Sequence, residues 1–488
     1  VAYHHPDGPA GRHALVRNIP FVAPRRLPMT PDRPLLLNAF AMNCVGHINH
    51  GLWTHPRDRT ADYTDIDHWT GVVRTLERGL FDGLFLADIV GAYDVYQGSL
   101  DITLRESIQL PLNDPIPLVG ALLPATRHLG FGITVNLTYE HPYLLARRFA
   151  TLDHLSRGRV GWNIVTGYLD SAARAMGLPA QPEHDGRYDR ADEFMAVAYQ
   201  LWESSWDADA VIRDRAARVY TRPEAVRPVR HRGEHYQVEG VSLWEPSPQR
   251  TPVLYQAGSS GRGQRFAARH AECVFISGQS RDGARALVKD LRAQAVREGR
   301  RPEDIKIFMG ASVVVAPTDA LAQEKLREYI HHASPEAGLA HFASGTGIDF
   351  SRYGLDEPVA PPGTGRGGQG DAMQSAVKLV TGGPRARTRR ELLAEMALGG
   401  RYALITGSPQ RVADAMIDWA RDTGIDGFNL ARTVVPECYD DVVDLVVPEL
   451  QQRGAFKTAY AEGTLREKLF GEGPLLPGRH PSRSTRLT

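Results

Sequence analysis

The sequence is poor in cysteine: three among 488 residues, Cys44, Cys273 and Cys438, far apart and without metal-ligand spacing. That scarcity excludes a disulfide framework and fits free thiols in a reducing compartment, so the cytoplasm is the expected location. Excess charge of either sign is also missing. Lys plus Arg and Asp plus Glu number 57 each, so no global field draws the chain to nucleic acid or to an anionic membrane, and neither is an expected partner. No run approaches the ~18 uninterrupted apolar residues of a membrane span. Residues 1–34 carry no apolar core ahead of a cleavage site, which argues against secretion. A phosphate-binding Walker sequence is absent. Gly363, Gly365 and Gly368 satisfy a GxGxxG pattern but follow Pro361 and Pro362 instead of a strand, so the dinucleotide reading lacks its context. Ser260 does not sit in GxSxG, which excludes a nucleophile elbow there.

What is present is an ordinary globular composition, 42% hydrophobic and 23% charged, able to bury a large core. Eight short apolar runs recur along the chain: LLLNAF (35–40), DGLFLA (82–87), FGITVNL (131–137), VGWNIVT (160–166), PVLYQAG (252–258), CVFIS (273–277), KIFMGASVVVA (306–316) and GFNLAR (427–432). Each is uninterrupted enough for a strand buried on both faces. Amphipathic segments lie between most of them, as in 65–80, where Ile66, Trp69, Val72, Val73, Leu76 and Leu80 fall at helical spacing. Eight such units favour a closed (β/α)8 TIM barrel over an open doubly wound sheet.

Two spacings are too long for plain βα units, so insertions are expected after strands 4 and 7. The expected domain layout is an N-terminal extension over 1–34, a barrel over 35–455 with a mobile insertion at about 331–400, and a C-terminal extension over 456–488. The second insertion holds the Pro/Gly-rich stretch 358–371, which fits either a lid at the barrel mouth or a surface excursion.

Several constellations carry candidate chemistry. His47, His50 and His55 follow the first strand, where a barrel exposes residues at its catalytic rim. They could bind metal, handle a proton or simply pack, but the Asn, Gly and Pro between them do not make a zinc motif, and no metal is expected. Asp88 ends an apolar strand, a position suited to ligand contact and equally to capping a turn. In PVLYQAGSSGRGQRF, glycines and serines lead into a helix, which fits a phosphate cradle built on free helix N–H groups and also a plain helix cap. His184, Arg187 and Tyr188, just ahead of another helix, add cationic and hydroxyl donors.

The strings NAFAMNCVGHINHGLWTHPRD, RTLERGLFDGLFLADIVG, FATLDHLSRGRVGWNIVTGYLDSAARAMG, EHDGRYDRADEF and PVLYQAGSSGRGQRFAARHAE resemble the bacterial-luciferase-like flavin monooxygenases. The group concerned contains the nitrilotriacetate monooxygenases, dibenzothiophene-sulfone monooxygenases and pristinamycin synthases, and the nitrilotriacetate-like branch is the nearest in wording. The resemblance spans residues 35–468 and implies an FMN site at the C-terminal ends of the strands. Its flavin-contacting positions correspond to Asp88, Thr134, His184, Tyr188 and Ser260. A catalytic histidine after strand one corresponds to His47, with His50 as the alternative because this loop has one extra residue. The resemblance further implies FMNH2 supplied by a separate NAD(P)H-dependent flavin reductase, O2 as co-substrate, and a homo-oligomer. The expected reaction is oxidative cleavage of a C–N bond in a small substrate. Riboflavin lyase, C–S cleavage of sulfones or sulfides, a flavin-binding protein without activity, and a metal-dependent hydrolase are the alternatives. A polyanionic substrate would need cations, for which Arg57, Arg105, Arg366 and Lys378 are the candidates.

Overall fold

A computed structural model of the chain describes residues 34–258, 260–278, 280–359, 386–400 and 402–482. Gly363, Arg366 and Lys378, with most of the 358–371 stretch and residues 1–33, lie outside them.

All eight expected strands are present. They are β1 (Leu36–Met42), β2 (Gly83–Ala87), β3 (Gly130–Asn136), β4 (Val160–Val165), β9 (Val253–Gln256), β10 (Cys273–Ser277), β11 (Lys306–Val315) and β13 (Gly427–Ala431), all parallel. The ring closes because β1 pairs on one side with β2 (Asn38 opposite Gly83) and on the other with β13 (Leu36 opposite Gly427). Helices cover the outside and begin with capped N-termini. Asp65 accepts from Asp67 N ahead of helix Ile66–Arg78, and Asp114 accepts from Ile116 N ahead of helix Pro115–Leu122, each cap satisfying a donor the helix cannot.

Strand alternation sorts the core into two layers. Leu37, Leu84, Leu86, Phe131, Ile133, Trp162 and Leu254 pack outward under the helices, whereas Phe40, Phe85, Tyr255, Cys273 and Phe308 fill the barrel interior. Both layers being apolar is what makes the strands read as continuous hydrophobic runs.

The first insertion contributes two hairpins, β5 (Val211–Asp214) with β6 (Val219–Thr221) and β7 (Val229–Arg232) with β8 (Gln237–Gly240). The second contributes helices Pro335–Thr346 and Arg389–Glu395 and a further parallel strand, β12 (Ala403–Gly407), which among the described residues pairs with the second half of β11 alone. Those two helices share an apolar cluster with Tyr93, Tyr96, Ile102 and Ile108 after β2 and with Leu169 after β4. The described parts of this insertion are therefore packed over the C-terminal end of the barrel.

The opposite end is plugged by the chain beyond 455. Leu465 and Leu469 of helix Leu465–Phe470 join the interior cluster, and Leu465 N donates to Gly158 O at 2.7 Å. Arg466, buried beside them, forms a two-pronged ion pair with Glu272 at 2.6 and 2.8 Å. Among the described residues no helix is long and apolar enough to cross a membrane.

Candidate active site

The C-terminal ends of β2 and β3 and the loops that follow them bound a cavity of about 280 Å³ whose lining includes Asp88, Asn113, Asp114, Thr134, Asn136 and Tyr139. Thr134 and Asn163 point inward from neighbouring strands because they alternate with the outward Ile133 and Trp162, and Asn163 Nδ2 donates to Thr134 Oγ1 at 2.9 Å. The Asn163 Oδ1 atom is buried without a partner. Asp88 stands at the strand end with its carboxyl pushed up to about 7, first by burial and then by the negative charge of Asp114.

A second group forms where β9 turns into helix Gly261–His270. Ser260 is the N-cap and accepts from Gly263 N at 2.8 Å. Tyr188, from helix His184–Tyr199, is buried beside it: a Cβ placed on Gly263 would lie 2.7 Å from the Tyr188 hydroxyl and 2.8 Å from Ser260 Oγ. Glycine at 263 is thus what lets a tyrosine, a serine and a helix N-terminus converge. Burial raises the Tyr188 hydroxyl above its usual pKa, with Ser260, Thr166 and Gln256 among its hydrogen-bonding neighbours. It is therefore a neutral donor. Arg262 lies over the Tyr188 ring at 5.6 Å and is held there by Asp189 and Asp192. His184 meets the Tyr188 ring at 5.1 Å and places Nδ1 2.8 Å from Asp185.

The five flavin positions expected from sequence therefore form two groups, Asp88 with Thr134 and Tyr188 with Ser260 and His184. Thr166, at the end of β4, stands between them: its carbonyl accepts from Thr138 and Gln181, and its side chain faces Tyr188. Tyr188, Ser260 and the start of helix 261–270 offer neutral donors and a positive helix end, which is the donor set a phosphate requires. The unpaired Asn163 oxygen beside Thr134 offers an acceptor to a ring N–H. These residues fit FMN.

The three histidines after β1 separate. His47 is buried, edge-on to Phe40 at 4.6 Å, with an unpaired Nδ1. Burial, then the charge of Arg432, then His341 and His50, hold it well below the usual histidine range, so it is neutral. His50 is held down to about 3 by burial and Arg432, and its Nε2 meets His341 Nδ1 at 3.1 Å. His55 instead faces helix Asp319–His332, with Nε2 3.1 Å from Glu328. Among the described residues no group of three or more His, Cys, Asp or Glu is placed to hold a metal ion.

Two proposed cations also point elsewhere. Arg57 is paired with Glu328 at 2.9 Å and with Glu437 at 2.5 Å on the outer surface, and Arg105 is exposed beside Glu106. Sequence reasoning passed over Arg432, which ends β13 buried in the mouth and donates to the carbonyls of Cys44 at 2.7 Å and Val45 at 2.9 Å. It also passed over His341 and Asn49. The only sequence signal for Arg432 was a cation closing an apolar strand.

A luciferase-like monooxygenase family model matches residues 48–427. The dimethyl-sulfide monooxygenase of Hyphomicrobium sulfonivorans is 46% identical over 90% of this chain and 90% of its own. The long-chain alkane monooxygenase of Geobacillus thermodenitrificans is 46% identical over 91% of this chain and 96% of its own. A crystal structure of riboflavin lyase with modified FMN and riboflavin superposes with a TM-score of 0.85 at 36% identity, covering 93% of this chain and 100% of that one. Nitrilotriacetate monooxygenase component A of Aminobacter aminovorans is 35% identical over 87% of this chain, so the nitrilotriacetate-like branch expected from sequence is not favoured over the sulfide and alkane enzymes.

Proposed function

This chain belongs to the luciferase-like monooxygenases, and from that premise we propose that it oxidises a small uncharged molecule, such as a thioether or short alkane, with FMNH2 and O2. It is a flavin-dependent monooxygenase. FMN as the flavin and a separate NAD(P)H-dependent reductase as its source are part of the proposal. Bound FMNH2 supplies the two electrons with which one oxygen atom of O2 enters the substrate and the other leaves as water.

The observation that carries the substrate class is the character of the mouth around His47. Phe40, Tyr402, Ile48 and Phe342 line or back it, and His47 and His50 are neutral. Among the described residues Arg432 is a cation at this mouth, and it donates to the carbonyls of Cys44 and Val45 and to the Cys44 sulfur. A polycarboxylate would find Arg432 but few other charge partners among the described residues there, and each buried charge left unpaired costs several kcal/mol. C–N cleavage of an aminopolycarboxylate, the reaction expected from sequence, therefore has less support.

Roles follow from placement. Tyr188 and Ser260 donate to the flavin phosphate at the start of helix 261–270. Asp88, partly protonated near neutrality, and Thr134 would hold the flavin ring by hydrogen bonds in the cavity they line. His184 braces Tyr188. His47, neutral with one ring nitrogen unpaired, would hold or return a proton at that nitrogen during the reaction. The cluster formed by the second insertion with the loops after β2 and β4 excludes water.

Aerobic turnover with an added flavin reductase tests this, with thioethers, alkanes, aminopolycarboxylates and riboflavin as substrates and mass spectrometry of products. Oxygenated or dealkylated products from the uncharged substrates are expected. Glyoxylate or lumichrome alone would overturn the substrate class, and turnover independent of flavin would overturn the reading altogether.

A further inference from the structure

Ile48 sits between His47 and Asn49 with φ of 62°. A β-branched residue in the left-handed region is an outlier, because its Cβ crowds the following carbonyl. Glycine would adopt the same backbone without that crowding. The backbone at 48 is held in place from both the barrel and the insertion. Asn49 Nδ2 donates to Arg432 O at 2.8 Å and to Ser312 Oγ at 3.2 Å, and its Oδ1 accepts from Gly399 N at 2.7 Å. One residue further on, His50 O accepts from Ser334 N at 2.9 Å. Such strain persists only where the surroundings over-determine it, and it clusters at ligand-contacting positions.

The Ile48 side chain packs at the edge of the barrel-interior cluster that includes Phe40 and Tyr402. It also walls a cavity of about 20 Å³ shared with His341, Phe342, Met396 and Tyr402. That space is about the size of one water molecule, and its wall residue Tyr402 lies 6.2 Å from Phe40, which in turn meets His47 at 4.6 Å. Within an apolar pocket, one methylene more or less changes discrimination by roughly 10- to 200-fold. The sec-butyl group thus fills space at this mouth that a smaller side chain would leave open.

We propose that Ile48 is a specificity-determining residue whose side chain closes the far end of the substrate pocket and limits the enzyme to short substrates. This rests on the uncharged-substrate reading above and deepens it. Its test uses full-length FMN-loaded protein, wild type, Ile48→Val and Ile48→Gly, with dialkyl sulfides from dimethyl to dibutyl. Binding is measured by calorimetry and turnover by product formation with the reductase.

The expected result is that Ile48→Gly raises the dibutyl-to-dimethyl affinity ratio by about tenfold or more, with Ile48→Val between it and wild type and the thermal midpoint kept or raised. An unchanged ratio in both variants overturns the proposal, as does a lowered midpoint with no change in preference. Binding that shifts as expected without any sulfide turnover leaves Ile48 as the pocket wall and sinks only the oxygenation reading. Absence of sulfide binding in all three proteins sinks both.

Discussion

His50 Nε2 lies 3.1 Å from His341 Nδ1, although 291 residues separate them in the chain. One ring donates and the other accepts, so the pair is stable only while at least one is neutral, and burial together with Arg432 keeps His50 so, down to about pH 3. The contact joins the loop after β1 to helix Pro335–Thr346 of the second insertion. With Asn49 bonded to Gly399 N at 2.7 Å, it fixes that insertion against the barrel mouth beside His47.

Removing the donors at the start of helix 261–270 weakens flavin binding. Ser260→Ala combined with Tyr188→Phe is expected to raise the FMNH2 dissociation constant at least ~10-fold, since each lost charge-assisted hydrogen bond is worth about 1.5–3 kcal/mol. Anaerobic fluorescence titration measures it. An unaltered constant means that the phosphate binds elsewhere.

Replacing His47 separates chemistry from binding. His47→Asn should lower kcat by ~100-fold, the usual scale of one positioned acid or base, while FMNH2 affinity stays within about twofold of wild type on that scale. Single-turnover kinetics with pre-bound flavin gives the rate directly, and an unchanged rate removes His47 from proton handling.

Asp88 gives stability a distinct pH dependence. Its folded-state carboxyl titrates at about 7, against 3.8 for the exposed group, so the folded protein holds a proton that the unfolded chain has released between those values. The stability this proton carries is complete below about pH 4 and is lost as the pH rises to 7. Asp88→Asn, which mimics the protonated form, should match wild type at pH 4 and unfold ~2 °C or more higher at pH 8. Parallel melting curves across that range would show that the carboxyl is not held protonated.

At the other end of the barrel, Arg466→Ala leaves Glu272 buried and unpaired. A loss of about 3–5 kcal/mol is expected, seen in urea unfolding monitored by tryptophan fluorescence. Restoration by Glu272→Leu in the same chain would identify the uncompensated charge as the cause. A loss below ~1 kcal/mol would mean that the pair adds little beyond the surface level.

The barrel was legible because its strands are buried on both faces, which leaves unbroken apolar runs separated by helical periodicity. β12 was not. Its five residues ALITG are only partly buried and hydrogen-bond to half of one neighbour, too little to impose a pattern. Ser260 and Tyr188 stood out because a Gly/Ser turn before a helix has local chemistry. His341, Asn49 and the role of Arg432 did not, since each acts through residues far away in the chain. The helix Leu465–Phe470, taken from sequence as part of an extension, closes the barrel floor because Leu465 and Leu469 turn inward.

Local pattern alone thus determined that this chain makes eight buried strands with covering helices and a glycine-lined helix start suited to phosphate, because periodicity and turn chemistry act over a few neighbouring residues. Tertiary structure decided which of three adjacent histidines faces the mouth, which cations are spent on surface ion pairs, and that Ile48 is held in a left-handed backbone. Those outcomes depend on contacts between segments hundreds of residues apart, and no local pattern encodes them.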